Sequence, residues 1–259
     1  MDLYAVIVPE NKIMKLDLAE FAASGRSSLT RFFAGRNARK VFAIGENKSG
    51  TTSLHRIFQN LGYHSYHGTK WRDTSRTTMY RMYDAFCDGV PDNFRKLDEL
   101  FPKAKFILQV RDLDTWIDSR LEHIRRLPPG KKRHPLWTIK ESSIRAWTAQ
   151  RDAYHVEVLN HYRDRPDDLL LINYIRDPQA AEKIATFLGH SPLEKKPHAN
   201  RNPKAGPRLK NVEMITAALK ELGIPENEWG NDIHCPHLES PGFETVSADT
   251  SLIPGDYRI

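Results

Sequence analysis

Apolar positions along the chain switch between two periods. Short, largely apolar runs suit strands covered on both faces. They occur at Val41–Gly45, Lys105–Val110 and Leu169–Asn173, with Tyr63–His67 as a further strand. Between them the spacing becomes helical. Leu54, Ile57, Phe58 and Leu61 fall at i, i+3, i+4, i+7 and predict a helix over 52–61, with Gly62 as its stop. The same spacing of Met79, Met82, Tyr83 and Phe86 predicts a helix over 76–87, ended by Gly89 and Pro91. Phe94, Leu97, Leu100 and Phe101 predict a short helix stopped by Pro102. Leu113, Trp116, Ile117, Arg120, Leu121 and Ile124 form the inner stripe of the next, with Asp112 as a fitting N-cap. A long helix is expected over 137–162, marked by Ile144, Trp147, Tyr154, Val158 and Tyr162, and further helices over 180–188 and 214–222. Strands alternating with helices predict an α/β fold in three layers, a central, mostly parallel sheet flanked by helices. The 259 residues suit a single domain, with 1–39 as an N-terminal extension and 224–259 as an irregular tail.

The most informative stretch is Gly45-Glu46-Asn47-Lys48-Ser49-Gly50-Thr51-Thr52-Ser53, between the first strand and its helix. Strand, tight turn and helix start make an anion site, because loop N–H groups converge there and the helix dipole favours negative charge. Gly45 and Gly50 keep the spacing of a P-loop, so the fold is P-loop-like. A Walker A sequence needs Lys followed by Ser or Thr after the second glycine. Here Thr51 and Thr52 stand there, and the lysine lies inside the loop at position 48. Thr51 and Thr52 can donate to a terminal phosphate while Lys48 reaches the far side of the group bonded to it.

Charge changes the picture only mildly. The formal net charge is +6 with a pI near 9.2, which favours an anionic ligand. No zinc, RRM or recognition-helix pattern accompanies it, so nucleic acid is not the expected partner. Two cysteines, Cys87 and Cys235, do not make a disulfide framework and fit a reducing compartment. No run of apolar residues is long enough to span a bilayer, and no signal-peptide pattern opens the chain. A cytoplasmic protein is expected; oligomeric state is not readable.

In doubly wound sheets, ligands sit at the carboxyl ends of the strands. The residues there are Lys48 to Ser53, His67, Arg111-Asp112 and Tyr174. Ser119 follows Arg111 by two helical turns, so the two can share a face. A guanidinium and a hydroxyl so placed could clamp a second phosphate. Equally, Arg111 could pair with a helix-end carboxylate and Ser119 face solvent.

Together these segments resemble the sulfotransferases that use 3′-phosphoadenylyl sulfate (PAPS). Glu46–Leu54 is similar to their 5′-phosphosulfate loop. Phe106–Asp112, followed by Trp116 and Ser119, is similar to their 3′-phosphate motif. Tyr83–Asp88, ahead of Phe101–Lys105, resembles a bacterial-type branch, and the resemblance runs from about 40 to 210. It implies that Lys48, Ser49, Gly50, Thr51, Thr52 and Ser53 hold the 5′-phosphosulfate. It implies that Arg111 and Ser119 hold the 3′-phosphate, that Arg201 closes over it, and that Tyr174 approaches the adenine. The product would be adenosine 3′,5′-bisphosphate, the acceptor a hydroxyl of a carbohydrate, glycolipid or small molecule, and no metal is required. Positioning and cationic stabilisation would carry such an in-line transfer.

The general base is left open among His67, which ends a strand on the site side, Asp88, read as the end of the 76–87 helix, and Glu46 in the loop. The histidine surroundings and C-terminal Arg-Lys-Gly of the best-known cytosolic members are absent. His234-Cys235-Pro236-His237 has the look of a metal cluster but lacks a second pair of ligands at zinc spacing. Trp116, Trp137 and Trp147 are expected in the core. Two rivals stand beside this reading, an ATP-dependent P-loop kinase and a non-catalytic nucleotide-binding protein. The displaced lysine argues against the kinase.

Overall fold

The structure, a computed structural model, describes residues 39–128, 138–193, 197 and 209–234. Arg201, Trp137, Cys235 and the N-terminal extension lie outside them. Five strands form one sheet: β1 (Val41–Ala43), β2 (Ser65–His67), β3 (Ala85–Cys87), β4 (Lys105–Gln109) and β5 (Leu169–Ile172). Their order is β2-β3-β1-β4-β5, and every pairing is parallel. In register, Val41 lies opposite both Ala85 and Lys105, so β1 is the central strand.

Side chains of β1 alternate between the two faces. Val41 and Ala43 meet Leu54, Ile57 and Phe58 of α1 (Thr51–Asn60) and Ala180, Ala181 and Ile184 of α6 (Ala180–Phe187). Phe42 and Ile44 face the opposite layer. That layer holds α2 (Thr77–Met82), α3 (Phe94–Leu100) and the C-terminal half of α5 (Glu141–His161). Phe42 is its hub, with the rings of Trp71, Tyr80, Phe86, Phe101 and Phe106 at centroid distances of 5.2 to 6.1 Å. A third cluster joins α4 (Leu113–Arg126), the start of α5 and α7 (Val212–Glu221) through Trp116, Trp147 and Ile215. The three-layer α/β architecture is the expected one. Among the described residues no helix is long and apolar enough to cross a membrane.

One element differs from its sequence expectation. The helix expected over 76–87 ends at Met82, and Ala85-Phe86-Cys87 is a strand. Tyr83 leaves helical backbone at φ −121, ψ 153, and β3 then pairs with both β1 and β2. All three strand residues are fully buried, so they show no polar alternation, and Phe86 matched the helical stripe by coincidence. Asp88 therefore follows a strand, not a helix.

The segment after α7 is irregular apart from one 3₁₀ turn at Glu226–Glu228, but it is firmly tied. The N–H groups of Leu113 and Asp114 donate to the carbonyls of Asn231 and Trp229, both at 3.0 Å. His234 lies between Asp152 and Glu228, 3.1 Å from each. Asp112 holds the N-cap position of α4 without capping it; its carboxylate accepts from Asn173 Nδ2 (3.0 Å) and Thr115 Oγ1 (3.1 Å) instead.

Candidate functional site

The loop after β1 is fixed from several sides. Gln109, at the end of β4, accepts from the Gly45 N–H and donates to the Gly45 carbonyl, both at 2.9 Å. A Cβ on Gly45 would lie 2.0 Å from the Gln109 carbonyl oxygen, so no larger residue fits. Tyr154 of α5 donates to Ile44 O (2.9 Å) and Trp116 of α4 donates to Asn47 O (2.9 Å). Arg120 pairs with Glu46 at 3.3 Å while its guanidinium stacks over the rings of Trp116 and Trp147. Glu46 is thereby turned toward α4 and serves the loop's architecture. Ser49 is almost fully buried, and its hydroxyl donates back to Glu46 O.

Held this way, the loop reverses at Lys48 and Gly50, with φ 73 and φ 99. Gly50 is the N-cap of α1, no side chain caps that helix, and its first turn carries no acidic residue. The first amides of an α-helix have no acceptor within it, and the dipole places partial positive charge there. Thr51 and Ser53 are buried in that first turn and Thr52 is half-buried. The Tyr174 ring lies against Gly50, where a Cβ would come within 3.0 Å of it. Its hydroxyl bonds Ser53 and donates to Pro197 O. Tyr174 thus borders the loop itself. The close ring leaves no room for a side chain at position 50.

Arg111, just past β4, crosses to this loop. Its Nη1 donates to Lys48 O at 2.9 Å and its Nε to Thr115 Oγ1 at 3.0 Å. Thr115 and the half-buried Ser119 lie one turn apart on one side of α4, and Arg111, just before that helix, reaches Thr115. Asp118, beside Ser119, accepts from the backbone N–H groups of Lys210 and Asn211 at 3.0 Å each, bringing the segment before α7 to that edge.

Lys48 and Asp88 are the positive-φ non-glycine residues among those described, Asp88 at φ 105. Such backbone costs about 1–3 kcal/mol per residue. Burial holds the Lys48 ammonium below the usual lysine range; Asp88 opposes that shift, while Arg126 and Arg120 add to it. His67 is placed differently. Its Nε2 lies 3.4 Å from Thr52 Oγ1, and its ring is 5.5 Å from that of His55, which bonds Ser65 at 2.8 Å. Burial first, then His67 and Arg56, keep His55 below the ordinary histidine range.

The structure therefore brings together Lys48, Ser49, Gly50, Thr51, Thr52, Ser53, His67, Asp88, Arg111 and Tyr174 at the carboxyl edge of the sheet, with Ser119 two turns along α4. Gln109, Thr115 and His123 were not foreseen. His123 continues the stripe of Trp116 and Arg120 at i+7 and i+3, a spacing visible in the sequence. Burial, then Lys48, Arg126 and Arg120, hold its imidazole below the ordinary range, with Asp88 opposing. A cavity of about 540 Å³ opens between Val90–Lys96 and Tyr154 and Glu157 of α5, two residues past Asp88. Among the described residues no three His, Cys, Asp or Glu side chains are grouped to hold a metal, and His234 is engaged by its two carboxylates.

No curated protein matches the chain. A crystal structure of a sulfotransferase from Alicyclobacillus acidocaldarius is similar to it at 17% identity and TM-score 0.42, over 74% of this chain and 98% of that one. A family model described as a sulfotransferase domain matches residues 40–179, just over half of the sequence and all five strands. The chain belongs to the sulfotransferase domain family.

Proposed function

We propose that this protein transfers a sulfuryl group from PAPS to a hydroxyl of a carbohydrate, glycolipid or small-molecule acceptor. The observation that carries this reading is the meeting of three features at one loop. The uncapped start of α1, the left-handed Lys48 and Arg111 all converge there. The 5′-phosphosulfate would lie on the amides and hydroxyls of Ser49 to Ser53. The 3′-phosphate would meet Arg111 and Ser119, with Arg201 of the later loop closing over it.

PAPS, when bound, supplies the sulfuryl group and keeps the electron pair of the broken S–O bond on its 5′-phosphate. Lys48 stabilises charge gathering on that oxygen, from a half-buried position where an ion pair counts for more than in water. Asp88, whose charge acts on Lys48, takes the proton of the acceptor hydroxyl as its oxygen bonds to sulfur. His67, whose Nε2 lies 3.4 Å from Thr52 Oγ1 at the start of α1, is the alternative base.

Calorimetry tests the donor. Adenosine 3′,5′-bisphosphate should bind tightly without metal and Mg·ATP weakly. The reverse order would make the protein a kinase-like nucleotide binder. Bisphosphate binding with no transfer from labelled PAPS to any hydroxylated acceptor would leave it a non-catalytic one.

A further inference from the structure

Positive charge at the site exceeds what the donor uses. Trp116 and Arg120 press one stripe of α4 onto the loop through Asn47 and Glu46. His123 lies one turn beyond Arg120, and Arg126 one turn beyond His123, past the last residue bonded to the loop. Both act electrostatically on Lys48 or are acted on by it, and Asp88 lies within the same field. Arg120 is already neutralised by Glu46 and boxed between two tryptophans. Arg111 is committed to the loop carbonyl and, on the reading above, to the 3′-phosphate. His123 and Arg126 have no such assignment. Arg126 is exposed, and its Nε donates to Glu122 O. His123 is half-buried beside it.

We propose that the acceptor carries an anionic group, a carboxylate or a sulfate, near the hydroxyl that is sulfated, and that His123 and Arg126 hold that group. The proposal rests on the sulfotransferase reading of the same site. A guanidinium and an imidazole on one helix face can meet two oxygens of one anion, and such charge-assisted bonds fix orientation as well as affinity. With a neutral acceptor, Arg126 acts unfavourably on Lys48 and both act unfavourably on a charged His123, with Asp88 opposing. An arriving anion would relieve that repulsion and draw a proton onto His123. The groups facing His123 are Lys48 of the loop, Asp88 after β3, and Arg120 and Arg126 of its own helix.

The test uses the full chain saturated with adenosine 3′,5′-bisphosphate and two matched acid/ester pairs. One pair is a galacturonic acid trisaccharide and its methyl ester; the other is 4-hydroxybenzoate and its methyl ester. Each pair has the same acceptor hydroxyls and differs only in charge. Calorimetry should show at least one acid binding about tenfold or more tighter than its ester, with proton uptake near neutral pH. Arg126→Gln should abolish the preference and His123→Gln the proton uptake, while Lys220→Gln, on the remote α7, should leave both intact. Equal binding of acid and ester, binding of neither pair, or equal loss in Lys220→Gln would overturn the proposal. Failure of the bisphosphate to bind at all would instead overturn the functional reading on which it rests.

Discussion

The Arg111 guanidinium donates to the backbone carbonyl of Lys48 across 2.9 Å. The residue expected to bind one phosphate thus also shapes the loop that would bind the other. Arg111→Ala should weaken adenosine 3′,5′-bisphosphate binding about 10- to 100-fold and lower the rate of transfer as well, because Lys48 loses its support. Arg111→Lys can restore charge but not both donors, so it should recover only part of either. Titration calorimetry with single-turnover rates separates the two effects. An Arg111→Ala protein with wild-type turnover would show that the carbonyl contact is dispensable.

Lys48 and Asp88 should divide binding from chemistry. Lys48→Ala is expected to slow transfer roughly 10²–10³-fold while changing bisphosphate affinity little. Asp88→Asn should cost roughly 10²–10⁴-fold in kcat. His67→Gln, through its Thr52 contact, should raise the PAPS KM more than it lowers kcat. If His67→Gln carries the larger loss in kcat, the base has been assigned to the wrong side of the loop.

Gly50→Ala probes the loop. The new Cβ would sit at φ +99 and 3.0 Å from the Tyr174 ring. Left-handed strain of roughly 1–3 kcal/mol should lower the melting temperature by several degrees and weaken bisphosphate binding further. Pairing the change with Tyr174→Ala should recover the steric share but not the backbone share.

The base of the site carries a pH dependence. Burial first, with Asp112 adding, pushes the Asp232 carboxyl up to about 7, against the opposing influence of Arg176 and Asn173. Asn173 Nδ2 donates to both Asp112 and Asp232, and Arg176 reaches both carboxylates. A carboxyl whose folded pKa is raised binds more protons folded than unfolded. Its stabilisation is full below the unfolded value of 3.8 and is lost as pH rises through about 7. Asp232→Asn cannot ionise. Its melting temperature, relative to the parent, should therefore rise from about pH 4 to about pH 7 and level off above that. A flat difference would mean that Asp232 stays ionised throughout.

Much of the site was legible because its chemistry sits on local sequence. The loop from Gly45 to Ser53 and the Arg111–Ser119 helix start are contiguous runs with their own spacing. What stayed hidden depended on tertiary placement. Ala85-Phe86-Cys87 is too short and too buried to show a strand period, so Asp88 was assigned to a helix end. Gln109 reads as one polar residue in an apolar strand, and only its register beside Gly45 makes it a loop anchor. His123 stands beside the apolar stripe of its helix, and only the contacts of Trp116 and Arg120 with the loop show that this side of α4 borders the candidate site.

The tie between Asn231, Trp229 and the start of α4 has a consequence for selectivity. Two helices begin at the same edge of the sheet after central strands, and each start is a potential seat for an anion. The backbone of 229–231 plugs the one at Leu113 and Asp114 with its own carbonyls. The first amides of the α1 start carry no such plug, so on the proposed reading the chain's later segment, by occupying the competing seat, would leave the phosphosulfate a single place to go.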